Sequence, residues 1–302
     1  MTRTPNGTDL DAAVRRAAQT ARSAARSSGT EIREIEATHE LEAVSRLLSA
    51  IWNRDASTPQ LTVELLKALS KTGNYVAGIF LDGRLVGAAV AFFAAPTRTS
   101  LHSHIAGISD DSQARSVGYA LKQHQRAWAL SRDISKITWT FDPLVRRNAY
   151  FNIGKLGARA VEYLPNFYGE MQDQVNAGDQ SDRLLVEWDL LADDVVSACD
   201  APPAGVRDRL PHRTDPVLDI APDGAPRRHD WHGPLAVVAV PPDIERLRAS
   251  RSPLATDWRL AVRDVLGGAM AGGARIVGFR RAEGYIVAAA DPQDLREVDE
   301  VW

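Results

Sequence analysis

Cysteine is almost missing from this chain. Cys199 is the only one in 302 residues, so no intrachain disulfide can form, and a reducing cytoplasm is the expected compartment. No apolar run approaches the ~20 residues that span a bilayer. The Ala- and Arg-rich start lacks the apolar block of a secretory signal, so a soluble protein is expected. Charge of either sign is not in excess: 36 Lys and Arg stand against 39 Asp and Glu, a net charge of −3, which exerts no global pull toward nucleic acid or a membrane surface. With no Cys pair and no zinc-ligand spacing among the histidines and acids, no metal is expected. The Walker phosphate loop, the Gly-x-Gly-x-x-Gly fingerprint, the serine nucleophile elbow and internal repeats are also absent.

What is there is a long, regular alternation of elements. Residues 1–29 read as a separate helical extension, with Leu10, Val14, Ala17, Ala18, Ala21 and Ala25 at helical spacing and Asp9 as a cap. An alanine face buries little area, so this helix is expected to be frayed or docked at the periphery. Residues 32–35 begin a strand. Leu41, Val44, Leu47, Leu48 and Ile51 mark one helix face, and Leu61, Leu65, Leu66 and Leu69 another. Strands at 75–80 and 85–93 are joined by Asp82-Gly83, a strong hairpin turn because both positions tolerate positive φ. A fourth strand (99–108), a helix (117–131) and a fifth strand (135–141) follow. Seven of the sixteen prolines fall between residues 200 and 234; they remove backbone donors, and 191–234 is predicted to be a loop without regular elements. Residues 235–302 then read as a strand, two helices and a terminal hairpin, a lobe packed on the core at 30–190. The fold class is α/β (α+β).

Two segments carry the chemistry. Gln113-Ala114-Arg115-Ser116-Val117-Gly118-Tyr119-Ala120-Leu121-Lys122 joins a strand to a helix, and N–H groups at a helix start have no intrahelical acceptors and favour an anion. The segment resembles the Gln/Arg-x-x-Gly-x-Gly/Ala acyl-CoA loop of the GNAT superfamily of N-acyltransferases, with Ser116 in place of the first glycine. Ile137-Thr138-Trp139-Thr140-Phe141-Asp142-Pro143-Leu144, followed by Arg147-Asn148-Ala149-Tyr150 and Lys155-Leu156-Gly157, resembles the later strand and helix of that family, in a subgroup of predicted acetyltransferases. The resemblance covers roughly residues 31 to 190. It implies a mixed, largely antiparallel sheet whose fourth and fifth strands splay apart around the pantetheine of acetyl-CoA or another acyl-CoA. It also implies a cofactor site at Ile108, Gln113, Arg115, Ser116, Val117, Gly118 and Tyr119, and transfer to a small amine such as an amino acid.

His102 and His104 are two apart on a strand, so they share one face while Leu101, Ser103 and Ile105 point the other way. An imidazole with a pKa near ~6.5 is suited to taking a proton from an ammonium. In the family a base lies six residues before the hydrophobe that opens the loop, and counting back from Ile108 gives His102. The family's acid tyrosine is replaced by Ile153, leaving Tyr150 or Tyr119 to substitute. Asn148 and Asn152, at i and i+4, can bond the pantetheine amides, and Arg147 can meet a phosphate. Asp142 and Trp139 are the substrate-binding candidates, against capping for Asp142 and packing for Trp139. Ser116 is tolerable beside phosphates only with negative φ, and Asp110 adds a carboxylate there. Three readings follow: the acyltransferase, with an acyl carrier protein or a homodimer as further partners; a repurposed GNAT fold, a cyclase or lyase or a carrier-protein-dependent acyl transferase in a biosynthetic pathway; and a non-catalytic binding module.

Overall fold

A computed structural model describes residues 7–52, 59–95, 100–109, 111–112, 116–169, 179–200 and 214–290. The chain forms two compact units, Met1–Trp139 with Asp189–Asp200, and Thr140–Trp188 with Ala201–Trp302. The first crossing between the units therefore falls inside a strand, β5 (Lys136–Phe141), and the others fall at 188/189 and 200/201.

In the first unit the strand order is β1-β2-β3-β4-β5. β1 (Thr30–Glu34), β2 (Tyr75–Leu81), β3 (Arg84–Phe93) and β4 (Ser100–Ile108) are successively antiparallel. The β2–β3 hairpin turns through Asp82 (φ 50°) and Gly83 (φ 76°), the pair of left-handed residues that the Asp-Gly sequence favours. On one face α2 (Thr38–Ile51) and α3 (Val63–Lys71) bury Leu41, Val44, Leu48 and Leu66 against Val76, Ala88, Val90 and Ile105. Thr62 caps α3 by accepting from the Leu65 N–H, as a threonine before a leucine-rich turn is suited to do. α4 (Val117–Leu130) and α6 (Asp193–Asp200) complete the unit. The N-terminal helix α1 (Gly7–Ser28) packs along α4 with Ala17 and Ala21 buried. Of the two expectations, frayed or docked, the helix is docked on the unit, because small alanine side chains let two helices approach closely.

The second unit opens with α5 (Arg146–Ala149), which passes into a π-helical turn (Tyr150–Lys155) and leaves it through Gly157 at φ 68°. β6 (Arg159–Leu164) pairs antiparallel with β7 (Arg183–Asp189), where Trp188 is buried and donates to the Leu156 carbonyl at 2.8 Å. Beyond it lies a five-stranded sheet ordered β11-β12-β10-β8-β9, made of β8 (Asp215–Ile220), β9 (Pro226–Arg228), β10 (Leu235–Ala239), β11 (Arg275–Arg280) and β12 (Gly284–Ala288). α7 (Ile244–Ala249), α8 (Leu254–Val262) and α9 (Gly268–Ala271) belong to it.

β8 and β9 overturn the expectation of a proline loop without regular elements. Pro226 opens the edge strand, and Pro216 sits next to a register shift opposite Val237, the strand positions where a missing N–H costs least. Among the described residues no helix is long and apolar enough to cross a membrane, and no group of three His, Cys, Asp or Glu is placed to hold a metal ion.

Candidate active site

The site in the first unit is built around an irregularity of β4. Val90 pairs with Ile105 and Ala91 with Ser103, so His104 has no residue opposite it. One extra residue in one strand is a β-bulge, which re-aims the side chains around it. Ile105 joins the α2/α3 core, whereas Ser103 accepts a hydrogen bond at 3.2 Å from Lys122 of α4. The expectation that Ser103 and Ile105 share a face is thus corrected by the bulge. His102 and His104 do lie together: their ring centroids are 6.5 Å apart, and both approach Phe92, at 5.3 and 5.8 Å.

β4 and β5 are parallel and pair at Ser100–Lys136, Leu101–Ile137 and His102–Thr138. The ladder ends there, although β4 runs on to Ile108 and β5 to Phe141. His102 therefore marks the crotch of a fork. Its Nδ1 is 3.0 Å from the Thr138 hydroxyl; when Nδ1–H donates to that oxygen, Nε2 is left as the acceptor. Burial lowers the basicity of His102 first, the neighbouring His104 and the Lys122 cation lower it further, and burial alone lowers that of His104. Both rings are consequently neutral, and able to accept a proton, around neutrality.

The turn expected to bind an anion is described from Ser116 onward; Asp110, Gln113 and Arg115 lie outside the described residues. Ser116 is left-handed, φ 58° and ψ 22°, contrary to the negative φ expected of a serine in this position. Its carbonyl accepts from the N–H groups of Tyr119 and Ala120 at 3.0 and 3.1 Å. Those of Val117 and Gly118 come before any intrahelical acceptor, so these two are aimed out of the helix start. A Cβ placed on Gly118 would stand 3.3 Å from the Ile108 side chain, so glycine there lets α4 begin close against the end of β4. Tyr119 is corrected twice: its N–H is used within the helix, and its hydroxyl donates to the Cys199 carbonyl at 2.7 Å, which removes it as a general acid.

Two further candidates are structural. Trp139 is buried, with the Lys122 ammonium 3.8 Å from its ring centroid, and it packs instead of meeting substrate. Asp142 is buried in the second unit. Its carboxylate accepts from the Leu144 N–H at 2.9 Å and from Arg248 and Arg259 at 2.6 to 3.0 Å, and both arginines also reach Asp179. Burial pushes the Asp142 carboxyl up, but the guanidiniums of Arg259 and Arg248 outweigh it and hold it well below the usual carboxylate range. Capping and ion pairing engage both carboxylate oxygens, the role weighed against substrate binding for Asp142.

Tyr150, Asn148 and Asn152 also belong to the second unit. Asn152 is buried, Asn148 is half-buried, and the Tyr150 ring lies under the Arg281 guanidinium at 4.5 Å. Arg147 forms a two-pronged ion pair with Glu245 instead of standing ready for a phosphate. The residue that sequence reasoning missed is Lys122. It is buried, donates to Ser103 and to Gln125 Oε1 at 3.1 Å, and burial lowers its pKa to about 7. Its signal was a lysine immediately after Tyr119-Ala120-Leu121, amid the buried positions of α4.

No family model matches the chain, and no curated protein matches its sequence. Solved structures are similar to it over about half its length. An N-acetyltransferase from Staphylococcus aureus is 16% identical, with 53% of this chain and 98% of that one covered and a TM-score of 0.45. An aminoglycoside 6'-acetyltransferase type Ii is 18% identical over 54% and 98%, with a TM-score of 0.44. A GNAT family acetyltransferase from Elizabethkingia anophelis with acetyl-CoA bound is 13% identical over 53% and 98%, with a TM-score of 0.41. The observed architecture of the first sheet is mixed and largely antiparallel, with a bulged fourth strand, a helix after it and a fifth strand diverging from the fourth.

Proposed function

We propose that the protein is an acyl-CoA-dependent N-acyltransferase that acylates a small amine, a free amino acid being the first class to test, with His102 as general base. The observation that carries this reading is the fork at His102–Thr138: it frees backbone groups of two adjacent strands directly beside a neutral imidazole. An acyl thioester supplies an activated carbonyl, and a pantetheine arm in the fork would find unpaired strand amides to bond. Val117 and Gly118 would bind the pyrophosphate through their N–H groups, helped by the positive end of the α4 dipole. Glycine at 118 fits this role, since a side chain there would fill the approach.

His102 then takes a proton from the substrate ammonium, directly or through one water, so that a neutral amine meets the acyl carbon. His104 is the second candidate on the same face. The amine, and a second copy of the chain, are the partners of this reading, and a reducing cytoplasm is its compartment.

The test is calorimetric titration with acetyl-CoA and succinyl-CoA, followed by transfer assays against a panel of amino acids and amines. Gly118→Val should raise the acyl-CoA dissociation constant at least tenfold, or ~1.4 kcal/mol. A rival reading, a repurposed fold that performs proton-transfer chemistry without CoA, is favoured by Ser116, whose Cβ stands in the turn where the family has glycine. Absence of acyl-CoA binding together with a His102-dependent conversion of a pathway intermediate would decide for the rival.

A further inference from the structure

Lys122 poses a chemical question of its own. The ammonium is buried, and among the described residues its hydrogen-bond partners are the Ser103 hydroxyl and the Gln125 amide oxygen, with no carboxylate paired to it. The groups facing it are Ser103 and, across the strand, His102 from β4, Gln125 from its own helix, and the Trp139 ring from β5. Burying an unpaired ammonium is costly, and a purely structural site would more cheaply hold methionine or leucine. Its position is also specific. Ser103 and Trp139 are the residues immediately after the last ladder pair, His102–Thr138, one on each strand. The ammonium therefore sits at the opening of the fork, held by both prongs. His102 projects from one face of β4 and Ser103, with Lys122, from the other.

We propose that Lys122 is the general acid that protonates the departing thiolate of an acyl thioester held in the β4–β5 fork. The assignment rests on the acyltransferase reading and adds the acid that Ile153 cannot supply. His102 removes one proton from the substrate ammonium, and the neutral amine attacks the acyl carbon to form the C–N bond. Collapse reforms the carbonyl and breaks the C–S bond, and the electron pair leaves on sulfur. Sulfur takes a proton from the Lys122 ammonium. The amine so formed takes the remaining surplus proton from the amide nitrogen, and the His102 proton passes to solvent. Ammonium and thioester become amide, thiol and one free proton. A lysine shifted toward neutrality by burial is suited to this exchange, as its ordinary counterpart would hold its proton too tightly.

The test uses the full chain and coenzyme A itself. Thiolate absorbance of bound CoA is titrated in the wild type and in Lys122→Met, with acetyl-CoA affinity and circular dichroism as controls of folding. The bound thiol should ionise at least one pH unit lower in the wild type. Turnover of Lys122→Met should fall roughly 10²–10⁴-fold with acetyl-CoA affinity unchanged. An unchanged thiol titration overturns the assignment even if the variant is less active. Should Lys122→Met not fold, the Lys122 signal of the wild type is titrated by NMR with CoA and with desulfo-CoA. A higher apparent pKa with CoA supports the role, and identical values overturn it. If the wild type binds no acyl-CoA, the acyltransferase reading and this role fall together. If Lys122→Met transfers acyl groups as fast as the wild type, only the acid assignment falls.

Discussion

The buried Lys122 makes a quantitative prediction about folding that is independent of any activity. Its pKa falls from an ordinary 10.5 to about 7 on folding, through burial. Between those values the unfolded chain binds more protons than the folded one, so stability rises with pH across the window and is flat in this group below about 7 and above 10.5. Lys122→Met deletes the titration. Urea unfolding followed by tryptophan fluorescence, at pH 7 and pH 9, gives the difference in stability between wild type and variant at each pH. From 1.36 kcal/mol per pH unit, with the folded lysine half-protonated at the lower pH, that difference should move by about 2 kcal/mol in favour of the wild type. The charge-dependent contacts to Ser103, Gln125 and Trp139 are contained in the folded-state pKa, and packing that does not depend on charge adds a constant to both measurements and cancels. At the lower pH the methionine variant can be as stable as the wild type or more so, because an uncompensated buried charge has been removed. Parallel stability curves for the two proteins would refute the reasoning, since they would mean that Lys122 titrates alike in the folded and unfolded chains.

Three other outcomes are expected. His102→Ala should lower turnover roughly 10²–10⁴-fold with acyl-CoA affinity unchanged; in the wild type the rising limb of kcat/KM against pH should lie below the ordinary imidazole value of 6.5, and Lys122→Met should move it upward by removing a neighbouring cation. Ser116→Gly should raise the thermal midpoint, because relief of ~1–2 kcal/mol of left-handed strain exceeds the ~0.4–1 kcal/mol that glycine adds to unfolded-chain entropy; a lower midpoint would show that the serine is not strained. Asp142→Ala should destabilise by ~3–5 kcal/mol in chemical unfolding, since it leaves Arg248 and Arg259 buried with half their counter-charge, and an effect below about 1 kcal/mol would show the network to be solvated.

Local chemistry was enough for much of this protein. Asp82-Gly83 sets its hairpin because two adjacent residues alone decide whether the chain can take two left-handed conformations. The spacing of His102 and His104 pointed to a shared neighbourhood, and both rings do approach Phe92, although the bulge at His104 lies beyond what spacing shows; the helix beginning after Ser116 follows from the apolar pattern of residues 117–130. Tertiary structure decided what depends on distant partners. Whether β4 carries a bulge depends on how it registers with β3, and that register turns Ser103 to α4 and Ile105 to the other core. Whether Asp142 faces solvent or guanidinium depends on Arg248 and Arg259, 106 and 117 residues further along. Pro216 and Pro226 read as loop residues until strands are placed beside them, because a proline's tolerance in a sheet is set by which neighbour would have received its missing N–H. Lys122 belongs to the same class. Its burial, and with it the chemistry assigned to it, exists only once α4, β4 and β5 have closed around its ammonium.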